Sequence, residues 1–209
     1  MKKIFLLTFL FVILQFGNVF AFVEKHIDKQ INYEMEYPIV YTNNKAAQDK
    51  INQDIYHYIA AFRDDFKAGK FYNGKFFYEV KFEDNDYVSL VITDYRFTRG
   101  AAHGGAKKIG VVYDKKTGRK LPLSHFLKIT LNDLLPIYRI NLYDGGGKKF
   151  SNAGFSDPKR VSEDYYLLGN GGIALIYREY ELAAYAAGSP TIRLSAEEVD
   201  WFNRKNRSL

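Results

Sequence analysis

A glycine-rich loop contains the first residues whose types could do chemistry. Residues 99–105 read Arg-Gly-Ala-Ala-His-Gly-Gly and lie between two stretches with strand character. Small residues let a backbone turn tightly or approach another surface closely, so this loop would present its histidine. The segment is either a connection whose histidine hydrogen-bonds to nearby backbone or a loop that contacts a ligand or partner. For the second interpretation, the candidate binding residues are Arg99, His103 and Gly104.

A second candidate segment follows near the C-terminus. Residues 177–188 read Tyr-Arg-Glu-Tyr-Glu-Leu-Ala-Ala-Tyr-Ala-Ala-Gly. Tyrosine combines a large apolar face with a hydroxyl, so tyrosines beside charged residues could form a ledge for sugars or a peptide. Tyrosine is equally suited to packing a loop with its hydroxyl satisfied. The candidate binding residues in this segment are Tyr180, Glu181 and Tyr185.

The remaining residues argue against several other kinds of site. The chain has no cysteine, which excludes disulfides, thiolate zinc sites and a cysteine nucleophile. Its histidines have no spacing typical of metal ligands: His26, His57, His103 and His125. Residues 145–149, Gly-Gly-Gly-Lys-Lys, resemble a phosphate loop only superficially, because they follow a predicted helix and lack the full motif spacing. We therefore predict no catalytic constellation, no metal and no cofactor.

The N-terminus predicts where the protein is located. Residues 1–3 form a short basic segment, residues 4–14 are almost continuously apolar, and residues 19–21 read Val-Phe-Ala. This pattern is typical of a secretory signal peptide, residues 1–21, cleaved after Ala21. An uncleaved membrane anchor that continues to about Val23 is the alternative. Either interpretation predicts an extracytoplasmic protein, periplasmic or secreted, with no stable transmembrane domain if the signal is cleaved.

Composition and charge narrow the possible partners. The 209 residues are 47% hydrophobic and 17% aromatic, which indicates a folded chain and not a disordered one. The formal net charge is +6, but lysine and arginine are dispersed among acidic residues. Because no basic run resembles a nucleic-acid-binding arm, we predict no nucleic-acid partner. Mild positive charge on an exported protein suits either simple solubility or contact with anionic envelope polymers.

Hydrophobic spacing predicts the elements that must position these candidates. An apolar stripe at steps of three and four predicts a helix that begins at Asn43 or Asn44 and ends near Gly69. Residues 37–41 read as a short edge strand, residues 76–82 and 87–97 as a hairpin, and residues 108–113 as a third strand.

The C-terminal half predicts shorter elements. Ser124 and Asn132 are predicted to cap a helical turn and a helix of about ten residues. A Gly-Asn-Gly-Gly turn joins strands at 165–168 and 173–177, a last strand covers 191–194, and Ser195 caps a terminal helix. The predicted fold class is α+β, with two small subdomains, 22–105 and 106–209, whose mainly antiparallel sheets each pack against helices.

Four motifs in this order resemble a known extracytoplasmic domain. They are Arg-Gly-Ala-Ala-His-Gly at 99–104, Val-Val-Tyr-Asp at 111–114, Leu-Pro-Leu-Ser-His-Phe at 121–126, and Tyr-Glu-Leu-Ala-Ala-Tyr-Ala-Ala-Gly at 180–188. The chain resembles, over residues 35–202, the domain shared by RsiV-type anti-sigma factors and the N-terminal part of PdaC-type peptidoglycan deacetylases. It departs from the family where residues 99–102 replace a glycine run and where Ala184 replaces the usual proline.

The resemblance implies a function without catalysis. In the RsiV-type protein this domain binds lysozyme, so the resemblance implies an exported, envelope-associated module that binds or senses a lysozyme-like protein or cell-wall peptidoglycan. One alternative is a cell-wall hydrolase with His103 as general base and Glu181 as its carboxylate partner. That alternative requires the two side chains to lie within hydrogen-bond distance. A structural role in the envelope is the other alternative.

Overall fold

The computed structural model describes residues 22–150 and 156–208, which form two sheets and three helices. The predicted signal peptide, residues 1–21, lies outside the described residues. The first sheet has the strand order β1-β2-β3-β4-β5. Its strands are β1 (Val23–Gln30), β2 (Tyr33–Val40), β3 (Asn73–Glu83), β4 (Tyr87–Phe97) and β5 (Gly105–Asp114). All neighbours pair antiparallel except β2 and β3, which are parallel.

The long helix α1 (Lys45–Lys67) makes the crossover between the two parallel strands. It begins where the Asn44 side chain accepts hydrogen bonds from two backbone N–H groups of the first turn, and it ends before Gly69 at a φ of +70°. One face of α1 is buried against the first sheet through Ala47, Ile51, Ile55, Ile59 and Phe62. The spacing of these residues therefore predicted both the helix and the face that it buries.

The second sheet is smaller and antiparallel throughout, with the strand order β6-β9-β8-β7. Its strands are β6 (Leu142–Tyr143), β7 (Tyr165–Gly169), β8 (Gly172–Ile176) and β9 (Thr191–Leu194). Two helices accompany it, α2 (Leu131–Leu134) and α3 (Ala196–Lys205). Ser195 caps α3 in a reciprocal capping box with Glu198. The two antiparallel-dominated sheets with their helices confirm the predicted α+β class.

The first sheet is covered on both faces, which explains why Val88–Thr93 of β4 are buried without alternation. Leu90 and Ile92 pack with α1, whereas Val91 packs with β7 and β8 of the second sheet. The serine hydroxyl oxygen of Ser89 accepts the Leu167 N–H at 3.0 Å and joins the two sheets directly. A strand covered on both faces reads as a continuous apolar run, so the predicted hairpin alternation was incomplete here.

The two sheets approach each other closely at Gly110 in β5. A Cβ at this position would stand 2.1 Å from the Tyr165 carbonyl oxygen of β7 and 2.5 Å from its amide nitrogen. Glycine is therefore required at this position for the backbones of β5 and β7 to cross in contact.

Two parts of the sequence-based prediction differ from the structure. The predicted edge strand at 37–41 is the end of β2, and the real edge strand is β1, whose residues are mostly exposed and gave no apolar pattern. The predicted helix of about ten residues capped by Asn132 is wrong, because the cap is Thr130, two residues earlier, and the helix is a single turn. Pro136 has no N–H to donate to the carbonyl four residues earlier, so the hydrogen-bonded helix α2 ends at Leu134 although Leu135 keeps helical backbone angles.

The division of the chain at residue 105 stays a prediction about subdomains. Strand β5, which that division assigns to the C-terminal part, pairs with β4 over its whole length. The hydrogen-bonded sheet therefore continues to Asp114, and the second sheet is built from residues after Tyr138.

Candidate functional site

The two candidate segments meet in space although about 80 residues separate them. The His103 ring stacks on the Tyr185 ring at 3.9 Å between centroids and 26° between planes. The Tyr180 ring lies 5.7 Å from that of Tyr185 and 6.4 Å from that of His103. We call these three side chains the ring stack. Tyr180 is 61% exposed, so the ring stack presents an aromatic face to solvent.

Hydrogen bonds fix the orientation of the histidine. Its Nδ1 lies 2.9 Å from the Gly104 carbonyl oxygen, and because a carbonyl only accepts, Nδ1 carries the proton. In the neutral ring, Nε2 then accepts from the Tyr180 hydroxyl at 3.2 Å. The Tyr185 hydroxyl donates to the same Gly104 carbonyl at 2.9 Å. Desolvation and the nearby Glu179 carboxylate raise the pKa of Tyr185, which keeps this hydroxyl a donor.

Gly104 contributes to the site in two ways. Its carbonyl oxygen accepts hydrogen bonds from His103 and Tyr185, and its lack of a side chain leaves room for Tyr95. It is buried, and a Cβ at its position would stand 2.3 Å from the ring of Tyr95. Any larger residue would displace either that ring or the loop that carries His103. The loop's small residues therefore do what their composition predicted, since they allow a close approach that places the histidine against Tyr185.

Tyr180 has a strained backbone, with φ at +65°. A non-glycine residue in the left-handed region is uncommon, and such strain concentrates at functional sites. The unusual conformation holds the Tyr180 ring outward beside His103, where the hydroxyl reaches Nε2. The fold therefore maintains an exposed aromatic side chain at a conformational cost.

Tyr180→Gly is expected to raise the free energy of unfolding by about 0.5 kcal/mol, because glycine adopts this backbone without strain. Tyr180→Phe keeps the strain and serves as the matched control, with a stability close to wild type. Urea unfolding followed by circular dichroism measures both. Equal stabilities for the two variants would show that the backbone at Tyr180 stores no strain.

A cleft of about 670 Å³ opens beside the ring stack. One wall is α1, the floor is the start of β5, and the other wall is the segment 178–180. A second depression of about 450 Å³ shares three of its lining residues, Arg178, Glu179 and Tyr180. Since these residues line both spaces, they form a ridge between them, and Tyr180 is part of that ridge.

Charged groups in the cleft divide into a paired set and an available set. Arg96 binds both carboxylate oxygens of Asp94 at 2.7 Å and the Asp65 carboxylate at 2.6 Å. Hydrogen bonds from Lys70 and Arg96 hold the pKa of Asp65 below its usual range, so this cluster stays ionised and internally compensated. The available groups are those of Lys107, Arg178 and Glu179. Glu179 is positioned by accepting the Ala106 N–H at 3.3 Å.

Glu181, which the sequence suggested as a binding residue and as a partner of His103, does not join the ring stack. Its carboxylate binds Arg160 through two contacts of 2.9 and 3.0 Å and accepts the Arg178 N–H at 3.0 Å. Within the ranges that the structure describes, no hydrogen bond or ion pair joins Glu181 to His103. The hydrolase alternative required such a contact, and both His103 nitrogens instead face Gly104 and Tyr180. Glu181 therefore positions the loop and leaves His103 without a carboxylate partner.

Arg99 is the other candidate that does not join the ring stack. Its guanidinium lies over the ring of Tyr72 at 4.3 Å from the centroid. Four of the six sequence-predicted residues thus come together, namely His103, Gly104, Tyr180 and Tyr185. The sequence pattern indicated Arg178 as part of the tyrosine-rich ledge, but it did not indicate the cleft residues Lys107 and Glu179, although Glu179 lies inside the same segment.

Comparison with family models accounts for most of the chain. A model described as "Deacetylase PdaC" matches residues 24–106, and one described as "Protein of unknown function (DUF3298)" matches residues 137–197. The chain is therefore similar to PdaC over residues 24–106 and to DUF3298 over residues 137–197. The PdaC part of the sequence resemblance is therefore confirmed, whereas the RsiV-type likeness stays a prediction.

Solved structures of DUF3298 proteins share the fold. A DUF3298 family member from Bacteroides fragilis superimposes with a TM-score of 0.57 at 17% identity, covering 87% of this chain and 91% of the other. A DUF3298 family protein from Pseudomonas aeruginosa superimposes with a TM-score of 0.54 at 13% identity, covering 86% and 91%. At these identities the likeness concerns the fold alone. No curated protein matches the chain.

The ring stack is formed across the two matched regions of the chain. His103 lies in the region matched by the PdaC model, and both tyrosines lie in the region matched by the DUF3298 model. PdaC-type domains are typically extracellular. In residues 22–150 and 156–208, no helix is long and apolar enough to span a bilayer.

Proposed function

We propose that this protein is an exported, non-enzymatic module that binds cell-wall glycan at the ring stack and the adjoining cleft. The observation that carries the proposal is the exposed Tyr180, held outward on a strained backbone beside His103 and Tyr185. A backbone cost at an exposed aromatic side chain has no benefit for packing, which favours a binding role. The predicted signal peptide would deliver the module to the envelope.

The chemistry of the cleft suits a glycan. Sugar rings present apolar C–H faces that pack on aromatic rings, and their hydroxyls need hydrogen-bond donors and acceptors at the edge of that contact. Lys107 and Arg178 supply donors, and Glu179 supplies an acceptor. A cleft of about 670 Å³ is large enough for a short oligosaccharide.

A lysozyme-like protein is the second candidate ligand, and sensing such a protein would then be the biological role. The specific observation in its favour is that Tyr180 and Arg178 are both exposed and adjacent on the ridge. Tyrosine and arginine are the residue types that dominate binding energy in protein interfaces. This candidate also follows from the RsiV-type resemblance of the sequence.

The test measures binding of the protein, expressed from the full chain, to insoluble peptidoglycan and separately to lysozyme. Tyr185→Ala removes the centre of the ring stack and is expected to weaken glycan binding about tenfold or more. Tyr56→Ala is the matched control, because Tyr56 is 57% exposed on α1 and does not line the cleft. Pull-downs at low and moderate salt separate a shaped site from charge attraction.

The outcomes distinguish the candidates. Salt-resistant binding to peptidoglycan that Tyr185→Ala weakens and Tyr56→Ala preserves would support the glycan proposal. Binding to lysozyme alone with the same pattern would replace glycan by a protein ligand. If both variants bind as tightly as wild type, the ring stack is not the binding site. If binding is lost at moderate salt, the interaction is only charge attraction.

A further inference from the structure

A further cavity lies between the facing surfaces of the two sheets. It has a volume of about 120 Å³ and is lined by polar groups from both sheets. β3 and β5 contribute Glu79, Lys81 and Lys108, and β9 contributes Thr191 and Arg193. The loop 144–147 that follows β6 forms a further wall. A cavity of this size holds several waters or one small ion.

The register of the strands directs these side chains toward each other. Thr191 pairs with Ile176 and Arg193 with Ala174, and both of these partners face the first sheet. In β5, successive side chains point to opposite faces. Lys107 therefore lines the cleft beside the ring stack, while Lys108 lines this cavity, so the two sites lie on opposite faces of one strand.

Two buried polar atoms in the cavity have no hydrogen-bond partner among the described residues. Thr191 is only 6% exposed, and its hydroxyl oxygen is unpartnered. The Nε of Arg193 is also buried and unpartnered, although its guanidinium stacks over the Tyr143 ring at 4.2 Å. Buried donors in native proteins are almost always satisfied, so each of these groups points to a missing acceptor.

The charges of the cavity leave a positive excess. Lys81 is paired with Glu79 at 2.5 Å. Asp144 accepts backbone N–H groups from Gly146 at 3.0 Å and from Lys148 at 2.8 Å. No ion pair within 4.0 Å compensates Lys108 or Arg193 in the described part of the chain, and Lys108 donates to the Gly145 carbonyl at 3.1 Å. Burial lowers the pKa of Lys108 even though the Glu79 and Asp144 carboxylates act in the opposite direction.

We propose that this cavity binds a tetrahedral oxyanion of phosphate size, held by Arg193, Thr191 and Lys108. These donors come from two sheets and therefore surround the cavity, as a tetrahedral anion with several acceptor oxygens requires. The anion supplies the acceptors that Thr191 and Arg193 lack and compensates the excess charge. Bound between β5 and β9, it also ties the two sheets together.

The glycine-rich loop 144–147 lines the cavity, but its backbone N–H groups do not bind an anion as those of a phosphate loop do. The Gly145 N–H donates to Ala187, and those of Gly146 and Gly147 donate to Asp144. With its amides committed, the loop has none to offer an anion, in agreement with the failed motif spacing. The donors of the proposed site are side chains on strands, which no short sequence motif reveals.

Calorimetric titration with inorganic phosphate at constant ionic strength tests the proposal on protein expressed from the full chain. Saturable binding is expected, with a rise in the melting temperature. Thr191→Val, which keeps the shape and removes the hydroxyl, is expected to weaken binding about fivefold, and Arg193→Met about tenfold or more. Lys148→Met is the matched control, because it removes one exposed charge of the neighbouring loop and none of the proposed donors.

The proposal is supported if Lys148→Met keeps the phosphate affinity of wild type and Thr191→Val binds phosphate more weakly. The Thr191→Val result decides the matter if Arg193→Met unfolds. Glycerol phosphate serves as a second probe: tighter binding than inorganic phosphate identifies a terminal phosphate of a larger molecule, and weaker binding identifies the free ion. No saturable binding to wild type, equal losses in all three variants, or a preference for acetate would overturn the proposal.

Discussion

Gly110→Ala is expected to lower the free energy of unfolding by about 3 kcal/mol or more. The added Cβ would stand 2.1 Å from the Tyr165 carbonyl oxygen and 2.6 Å from its carbonyl carbon. These are backbone atoms of a strand that is paired with β8, so they cannot rotate away as a flexible side chain can. The substitution must therefore separate β5 from β7, and with them the two sheets.

Gly105→Ala is the matched control for this effect. Gly105 begins the same strand, and a Cβ there would meet its nearest neighbour, a Glu179 carboxylate oxygen, at an ordinary 3.8 Å. Urea unfolding of the two variants compares a blocked and an open position in one element. If Gly110→Ala proves as stable as Gly105→Ala, the contact between β5 and β7 is looser than its geometry indicates.

Asp133→Ala is expected to be the second large loss of stability, about 3 kcal/mol. The buried carboxylate binds Lys205 at 2.5 Å, the Thr130 N–H and hydroxyl at 2.9 and 2.7 Å, and the Asn206 side chain at 2.9 Å. It thus caps α2 and holds the end of α3 on the second sheet. Removing it leaves several donors without an acceptor, which costs more than the bonds themselves contribute.

The pH dependence of stability follows from the same carboxylate. Burial alone would raise the pKa of Asp133, but the hydrogen bonds from Lys205, Thr130 and Asn206 outweigh it and hold the pKa well below its usual range. An ionised group with a depressed pKa stabilises the fold above its unfolded pKa of about 3.9, and this contribution is lost as the pH falls toward the folded value. The stability difference between wild type and Asp133→Ala should therefore shrink below about pH 4.

Asp200→Ala provides the comparison for this experiment. Asp200 lies on the exposed face of α3, and its loss should leave the acid limb of the stability profile unchanged. Denaturant unfolding at a series of pH values from 7 to about 3 gives the curves for all three proteins. If the stability difference between wild type and Asp133→Ala stays constant across that range, the hydrogen-bond partners do not lower the pKa of the Asp133 carboxyl.

Some elements could be predicted from sequence because their determinants are local. Helix α1 combines an asparagine cap, a stripe at helical period and a following glycine within one stretch of chain. The β7–β8 turn has positive φ at Gly169, Asn170 and Gly171, as its residue types predicted. The Ser195 capping box marks the start of α3 in the same local way.

Other elements could not be predicted correctly from sequence, because tertiary contacts outweigh local conformational preference there. Strand β1 is polar and mostly exposed, and it joins the sheet by pairing with β2 along its whole length. The start of α2 was misplaced although Thr130 and Asp133 have capping-box spacing, because Asn132 offered a competing cap nearby. Strand β4 lost its alternation because both of its faces are covered, and no single segment encodes that.

The sequence by itself determined the fold class, the resemblance to PdaC and the two segments that form the ring stack. The glycines and alanines at 99–105 and the tyrosines at 177–188 are local features of the sequence. They can be interpreted without knowledge of the residues that contact them in the fold. The tertiary structure decided which side chains act together. It brought His103, Tyr180 and Tyr185 into one stack, gave Glu181 to Arg160, and left Thr191 and Arg193 facing a cavity. These outcomes depend on how two sheets dock at Gly110, and such long-range packing is set by the whole chain.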